Sequence, residues 1–296
     1  MIFIGGCKDR ASSGVMNGKD PEGIARRDPS SMCAHQKQWP KSCQGSVHLR
    51  QSPIALSSES FSAKSSVPIQ VVFSGADATL VDVGHTFQIR FVKSGGSLAF
   101  EGESYSLKQF HFHKPAEYVL DGKQFDMEAH FVFVSAGNGA QMVPKVFALG
   151  YPIQRGLENR ELSKAWAYLP PVKEGYGEEN ADGFDWQKTM ESSEIHTDVL
   201  AHGENELKSG MKLNMAEVIP ISSKSGFYIY EGSLTTPGCD ENVTHAFSAS
   251  PIYMSDSQME HFEGYYEGNN REIQAVGNSS ARRFRTGFWA GQIESK

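Results

Sequence analysis

Apolar and polar residues alternate with a period of two along much of the stretch from Val67 to Val134. That is the pattern of half-buried strands, in which successive side chains fall on opposite faces. The spacing predicts strands at Ile69–Phe73, Thr79–Val83, Thr86–Val92 and Gly96–Phe100, separated by glycine-rich turns and followed by a hairpin. Beyond it come an apolar stretch at Val146–Tyr151, a helix around Leu157–Ala167 and strands at Gly226–Tyr230 and Val243–Ala246. Ser255 to Phe262 reads as a further helix with a serine or aspartate cap. No internal repeat or second domain is visible. A length of 296 residues, 39% hydrophobic and 21% charged, fits one large, mainly β (α+β) domain.

The hairpin carries the chemistry. Gln109-Phe110-His111-Phe112-His113 places two histidines at i and i+2, hence on one strand face, and Glu128-Ala129-His130 follows. Between them Asp121-Gly122 is suited to the positive φ angles of a two-residue turn. A turn centred there sets opposite one another residues whose numbers sum to 243, so His113 is expected to face His130. The same parity puts Gln109, Glu117 and Glu128 on the histidine face. Pro115 cannot donate a ladder hydrogen bond, so a bulge or an edge position is expected there.

A His-x-His pair alone is ordinary in half-buried sheets. With a third histidine and with carboxylate and amide neighbours on the same face, a metal site becomes the favoured reading. Three neutral imidazoles suit Zn2+ and leave a fourth tetrahedral position for water. The chain has no Cys-x-x-Cys, no His-Glu-x-x-His and no carboxylate-rich loop, the signatures of other metal sites.

These segments, with others in the same order, resemble the α-class carbonic anhydrases. The matches are Gln51-Ser52-Pro53-Ile54, Gly84-His85-Thr86-Phe87-Gln88, the histidine hairpin and Tyr230-Glu231-Gly232-Ser233-Leu234-Thr235-Thr236-Pro237. Asn242-Val243-Thr244, the region from Ser255 to Met259 and Asn269-Asn270-Arg271 complete them. The resemblance runs from about Trp39 to Arg285 and implies a large, twisted, mostly antiparallel sheet with short peripheral helices.

It implies reversible hydration of carbon dioxide to bicarbonate and a proton by zinc-bound hydroxide. His111, His113 and His130 would be the metal ligands, with Gln109 and Glu128 as the acceptors that fix ligand rings. Thr235 would take a hydrogen bond from the hydroxide and give one to buried Glu117, and His85 would shuttle the proton to buffer. Val132, Ala148, Leu234, Val243 and Thr236 would form the substrate pocket, an apolar wall being suited to carbon dioxide. Cys43 and Cys239 would form a disulfide. Four positions depart from the family: His245 where Trp is usual, Gly238 where Pro is usual, and Ala116 and Tyr118 in Ala116-Glu117-Tyr118 where Ser-Glu-His is usual. His245 would bring a polar, titratable group to the wall. The family's aromatic N-terminal signature, with its rim Tyr, is not recognisable before Trp39.

Residues 1–38 read as an N-terminal extension, expected to be poorly ordered, ahead of a catalytic domain spanning 39–290. Lys173 to Lys208 holds ten acidic and three basic residues, a net charge equal to the −7 of the whole chain. It forms the core of an acidic insertion at about 171–211, read as a solvated surface loop. The negative balance argues against nucleic acid as a partner. Cys7 and Cys33 have no assignable role, and His196 and His202 are not favoured as ligands. Of the glycosylation patterns, Asn242 falls in an expected core strand and Asn278 lies near the C-terminus. No transmembrane run or complete signal peptide is present, so a secreted, periplasmic or other oxidising location follows from the implied disulfide alone. Oligomeric state is not legible, a dimer being left open. Two other functions stay in view: a family-related binding or storage protein with little catalysis, and a zinc hydrolase or esterase for another small electrophile.

Overall fold

The computed structural model describes residues 36, 39, 41–43, 50–62, 66–83, 85–136, 144–169, 205–219, 226–266, 268–276 and 284–290. In chain order the strands are β1 (Ala55–Leu56), β2 (Ser66–Phe73), β3 (Gly75–Asp82), β4 (Phe87–Phe91), β5 (Gly96–Phe100), β6 (Glu103–His113), β7 (Val119–Leu120) and β8 (Lys123–Gln124). There follow β9 (Met127–Ser135), β10 (Val146–Arg155), β11 (Asn205–Asn214), β12 (Gly226–Gly232), β13 (Val243–Ser248), β14 (Ile252–Met254) and β15 (Arg285–Trp289). The helices are short: α1 (Ser58–Ser62), α2 (Arg160–Trp166), α3 (Met215–Val218) and α4 (Asp256–Glu263). Ser255 caps α4 through a reciprocal capping box with Gln258, the serine start expected from the sequence.

Twelve strands form one sheet in the order β11-β3-β4-β6-β5-β2-β15-β12-β13-β10-β14, with β9 pairing both β6 and β10. The fold is mostly β with few short helices, as expected. The sheet is mixed: β10 runs parallel to β13 and β14, and β15 parallel to β2. The end of the acidic stretch, from Asn205, is strand β11, antiparallel to β3. The N-terminal extension except Gln36, the acidic stretch through Glu204, Cys7, Cys33 and Asn278 lie outside the described residues.

Alternation divides the central strands between two buried layers. Phe110 and Phe112 of β6, Ala129, Phe131 and Phe133 of β9 and Phe147 and Leu149 of β10 feed the main core. Their sequence neighbours His111, His113, His130, Val132 and Ala148 point the other way, into a second, smaller layer. The site is thus built on the back of the core, where side-chain positions are fixed by close packing.

The hairpin departs from the expected register. Its tip pairs as predicted, Val119 with Gln124 and Leu120 with Lys123, and Asp121 and Gly122 have φ of 48° and 77°. Further in, His111 rather than His113 faces His130, and His113 faces Glu128. Two extra residues are accommodated between β6 and β7, where Pro115 interrupts the ladder. Lys114 turns instead to Asn269, donating its N–H to Oδ1 at 2.7 Å, and its carbonyl accepts from the Gly268 N–H at 2.7 Å. Because the slip is two residues, parity is preserved and all three histidines stay on one face.

Candidate metal centre and active site

The three imidazoles converge. Ring centroids of His111, His113 and His130 lie 4.7 to 5.4 Å apart, and one ligand atom from each falls within 4.8 Å of the others. Each ring has its remaining nitrogen engaged by an acceptor. His111 Nδ1 is 2.9 Å from Gln109 Oε1, His113 Nδ1 is 3.2 Å from the Asn269 carbonyl, and His130 Nε2 is 2.5 Å from Glu128 Oε1. Acceptors at those atoms place the ring protons there, leaving His111 Nε2, His113 Nε2 and His130 Nδ1 with lone pairs turned inward. His111 Nε2 and His113 Nε2 are 3.1 Å apart. Two nitrogens that each bind one ion at about 2.0–2.1 Å can have this separation. The donor set fits a small, nitrogen-preferring cation.

Electrostatics agree. Burial, together with the charge of His130, holds His111 and His113 well below the usual imidazole pKa, so both are neutral and able to coordinate. Burial works to lower His130, but the Glu128 and Glu117 carboxylates together outweigh it and the net shift is upward. A cation at this point would displace the proton that Glu128 otherwise favours.

Glu117 lies fully buried between the rings. Its Oε1 accepts the Arg271 N–H at 2.8 Å and lies 3.6 Å from His113 Nδ1, and the Thr235 side chain, near the carboxylate, favours its charged form. Burial pushes its carboxyl up to about 7, with the His130 charge and the Arg271 N–H limiting the rise. Thr235 itself is buried in the loop after β12. That loop closes on itself, the Cys239 N–H donating to the Thr236 carbonyl at 3.1 Å and the Leu234 N–H to the Asp240 carbonyl at 3.0 Å.

Val132, Ala148, Leu234 and Val243, four of the five residues expected in the pocket, pack with Val146 into one apolar cluster. β9, β10 and β13 supply four of its members, brought together because Ala148 sits between Val132 of β9 and His245 of β13 in register. His85 lies in the β3–β4 turn, half-buried and close enough to act electrostatically on His111 and His113. The Asn269 amide donates to its carbonyl at 2.8 Å.

His245 differs from expectation. Its ring nitrogens are bonded inside the fold, to the Tyr118 hydroxyl and the Ser233 carbonyl, rather than offered to the apolar cluster. Arg271 was named in the sequence only as part of a motif, with no role. Here its guanidinium reaches the carbonyls of Cys43 and Ser52 at 2.9 and 2.7 Å and Gln51 Oε1 at 2.9 Å, while its own N–H holds Glu117. Cys43 and Cys239 are joined in a disulfide, Cα atoms 5.3 Å apart.

The family model for eukaryotic-type carbonic anhydrases matches residues 34–285. The chain belongs to the carbonic anhydrase family. A carbonic anhydrase of Pectobacterium atrosepticum is 29% identical over 71% of this chain and 70% of its own length. The α-carbonic anhydrase of Thermovibrio ammonificans, solved with the inhibitor sulfanilamide, superposes with a TM-score of 0.63 at 26% identity, covering 90% of this chain and 99% of that one. Dioscorin DB3S of Dioscorea polystachya is 25% identical over 76% of this chain and 69% of its own length. As a member of the carbonic anhydrases, a family of lyases, the chain carries its histidine triad on β6 and β9, the two strands that the hairpin unites.

Proposed function

We propose that this chain binds Zn2+ through His111, His113 and His130 and catalyses the reversible hydration of carbon dioxide to bicarbonate. The observation that carries the reading is the convergence of three inward nitrogens whose partner nitrogens are each held by an acceptor. Zinc held by these three residues would supply a Lewis acid that readies water as a nucleophile near neutral pH.

The chain's own groups do the rest. Thr235, with its hydroxyl turned to donate to Glu117, would accept only one orientation of a donor beside the histidines and so would orient the nucleophile. The cluster of Val132, Val146, Ala148, Leu234 and Val243 offers carbon dioxide an apolar surface and excludes competing water. Thr236 borders that cluster in sequence. His85 takes up the proton released, its turn tethered by Asn269. The disulfide favours a secreted or periplasmic setting, since such bonds persist in oxidising compartments.

The test is stopped-flow carbon dioxide hydration on protein of known metal content, beside His111→Ala. Stoichiometric zinc and hydration in the wild type, both lost in the variant, are expected. Stoichiometric zinc without hydration would sink the enzymatic reading and favour a binding protein of the same fold.

A further inference from the structure

Two departures from the family's usual residues, Tyr118 and His245, are 127 positions apart in sequence and hydrogen-bonded to each other. His245 is buried on β13, with Nε2 2.8 Å from the Ser233 carbonyl and Nδ1 2.5 Å from the Tyr118 hydroxyl. A carbonyl only accepts, so Nε2 carries the ring proton. In the neutral ring Nδ1 is then the acceptor, and Tyr118 is its donor. The Tyr118 oxygen receives in turn from the Tyr230 hydroxyl at 2.9 Å. Tyr230 also stacks on the His245 ring, centroids 5.1 Å apart and planes 12° apart. A Cβ at Gly232 would stand 2.8 Å from His245 Cδ2 and 2.2 Å from Ser52 Oγ, so only glycine leaves room for this arrangement.

Tyr118 is joined to the metal-binding histidines in two ways. Its backbone N–H donates to Glu128 Oε2 at 3.0 Å, leaving Oε1 for His130 Nε2, and its ring lies edge-on to His130 with centroids 6.0 Å apart. Displacement of the Tyr118 side chain therefore disturbs the carboxylate that fixes the His130 ring and its proton. A group bonded directly to a ligand ring, as Glu128 is to His130, is worth about 10–100-fold in metal affinity, and a group acting through it is worth the lower end of that range.

We propose that His245 is a positioning residue for the metal site. By holding Tyr118 it locks Glu128, and through Glu128 it keeps His130 Nδ1 directed at the metal. The inference rests on the metal reading above, and the two fail differently.

Zinc affinity of the full-length protein is measured by chelator competition for wild type, Tyr118→Phe, His245→Phe and the double variant, with thermal unfolding of the metal-free forms alongside. Each single change is expected to weaken zinc binding about tenfold. The double variant should be no weaker than the weaker single one, because either change removes the same bond. His245→Gln, which retains an acceptor, should keep more affinity than His245→Phe. Tyr118→Phe preserves ring volume and tests the idea should His245→Phe fail to fold. Wild-type protein that binds no zinc overturns both readings. Wild-type binding with both Phe variants within twofold, or with effects that simply add, overturns this one alone.

Discussion

At the scale of single residues, the site depends on keeping two imidazoles neutral in a place where they would otherwise protonate. Burial depresses His111 and His113 in the folded chain, whereas in the unfolded chain they titrate near 6.5. Below that pH the unfolded state binds more protons than the folded one, so these two residues destabilise the metal-free fold as pH falls. Metal-free His111→Ala/His113→Ala lacks this contribution. Its stability relative to wild type, read from urea unfolding, should therefore improve between pH 8 and pH 5.5. No difference between the two pH values would show that the rings are not desolvated as described. The convergence of the three histidines was legible in the sequence because a period of two survives a slip of two. The partners that hold them were less so. Gln109 and Glu128 share the histidines' strands and face, whereas Asn269 and Arg271 lie where no regular element gives periodicity a purchase. Tyr118 meets His245 only through the pairing of β12 with β13 and the bulged hairpin.

At the scale of elements, the interruption of the hairpin at Pro115 couples the three histidines to the β3–β4 turn. Leaving the ladder, Lys114 docks on Asn269, whose amide also spans the Phe112 carbonyl at 3.0 Å and the His85 carbonyl at 2.8 Å. Its own main-chain carbonyl faces His113 Nδ1. Asn269→Ala removes the tether on the His85 turn but retains the carbonyl behind His113. Turnover in weak buffer should fall about three- to tenfold, part of the roughly 100-fold or more that positioned proton transfer supplies. Free imidazole should restore it, as it should in His85→Ala, and kcat/KM should change little. A loss confined to kcat/KM, or one that imidazole does not rescue, would place the tether's effect on the metal rather than on the proton path. Turn residues announced the tip of this hairpin, but a bulge is set by what the freed backbone finds to bond. That partner, Asn269, lies more than 150 residues away.

At the scale of the whole molecule, the chain must bring its first described residues to the loop that follows β12. Sheet pairing alone does not do this, because Cys43 lies ahead of every strand among the described residues. Among the connections that bridge the gap are the Cys43–Cys239 disulfide, 196 residues apart in sequence, and Arg271, which binds the Cys43 carbonyl while its N–H holds Glu117. A cross-link closing so long a loop restricts the unfolded chain strongly, and removing a native one typically costs about 2–5 kcal/mol. Cys43→Ser/Cys239→Ser should lose stability of that order in urea unfolding. A reductant should bring wild type down towards the variant and leave the variant unchanged. The Arg271 contacts remain in the variant, so Glu117 should keep its place and zinc should still bind. If zinc binding is lost together with the cross-link, then the disulfide, and not Arg271, fixes the buried carboxylate beside the metal.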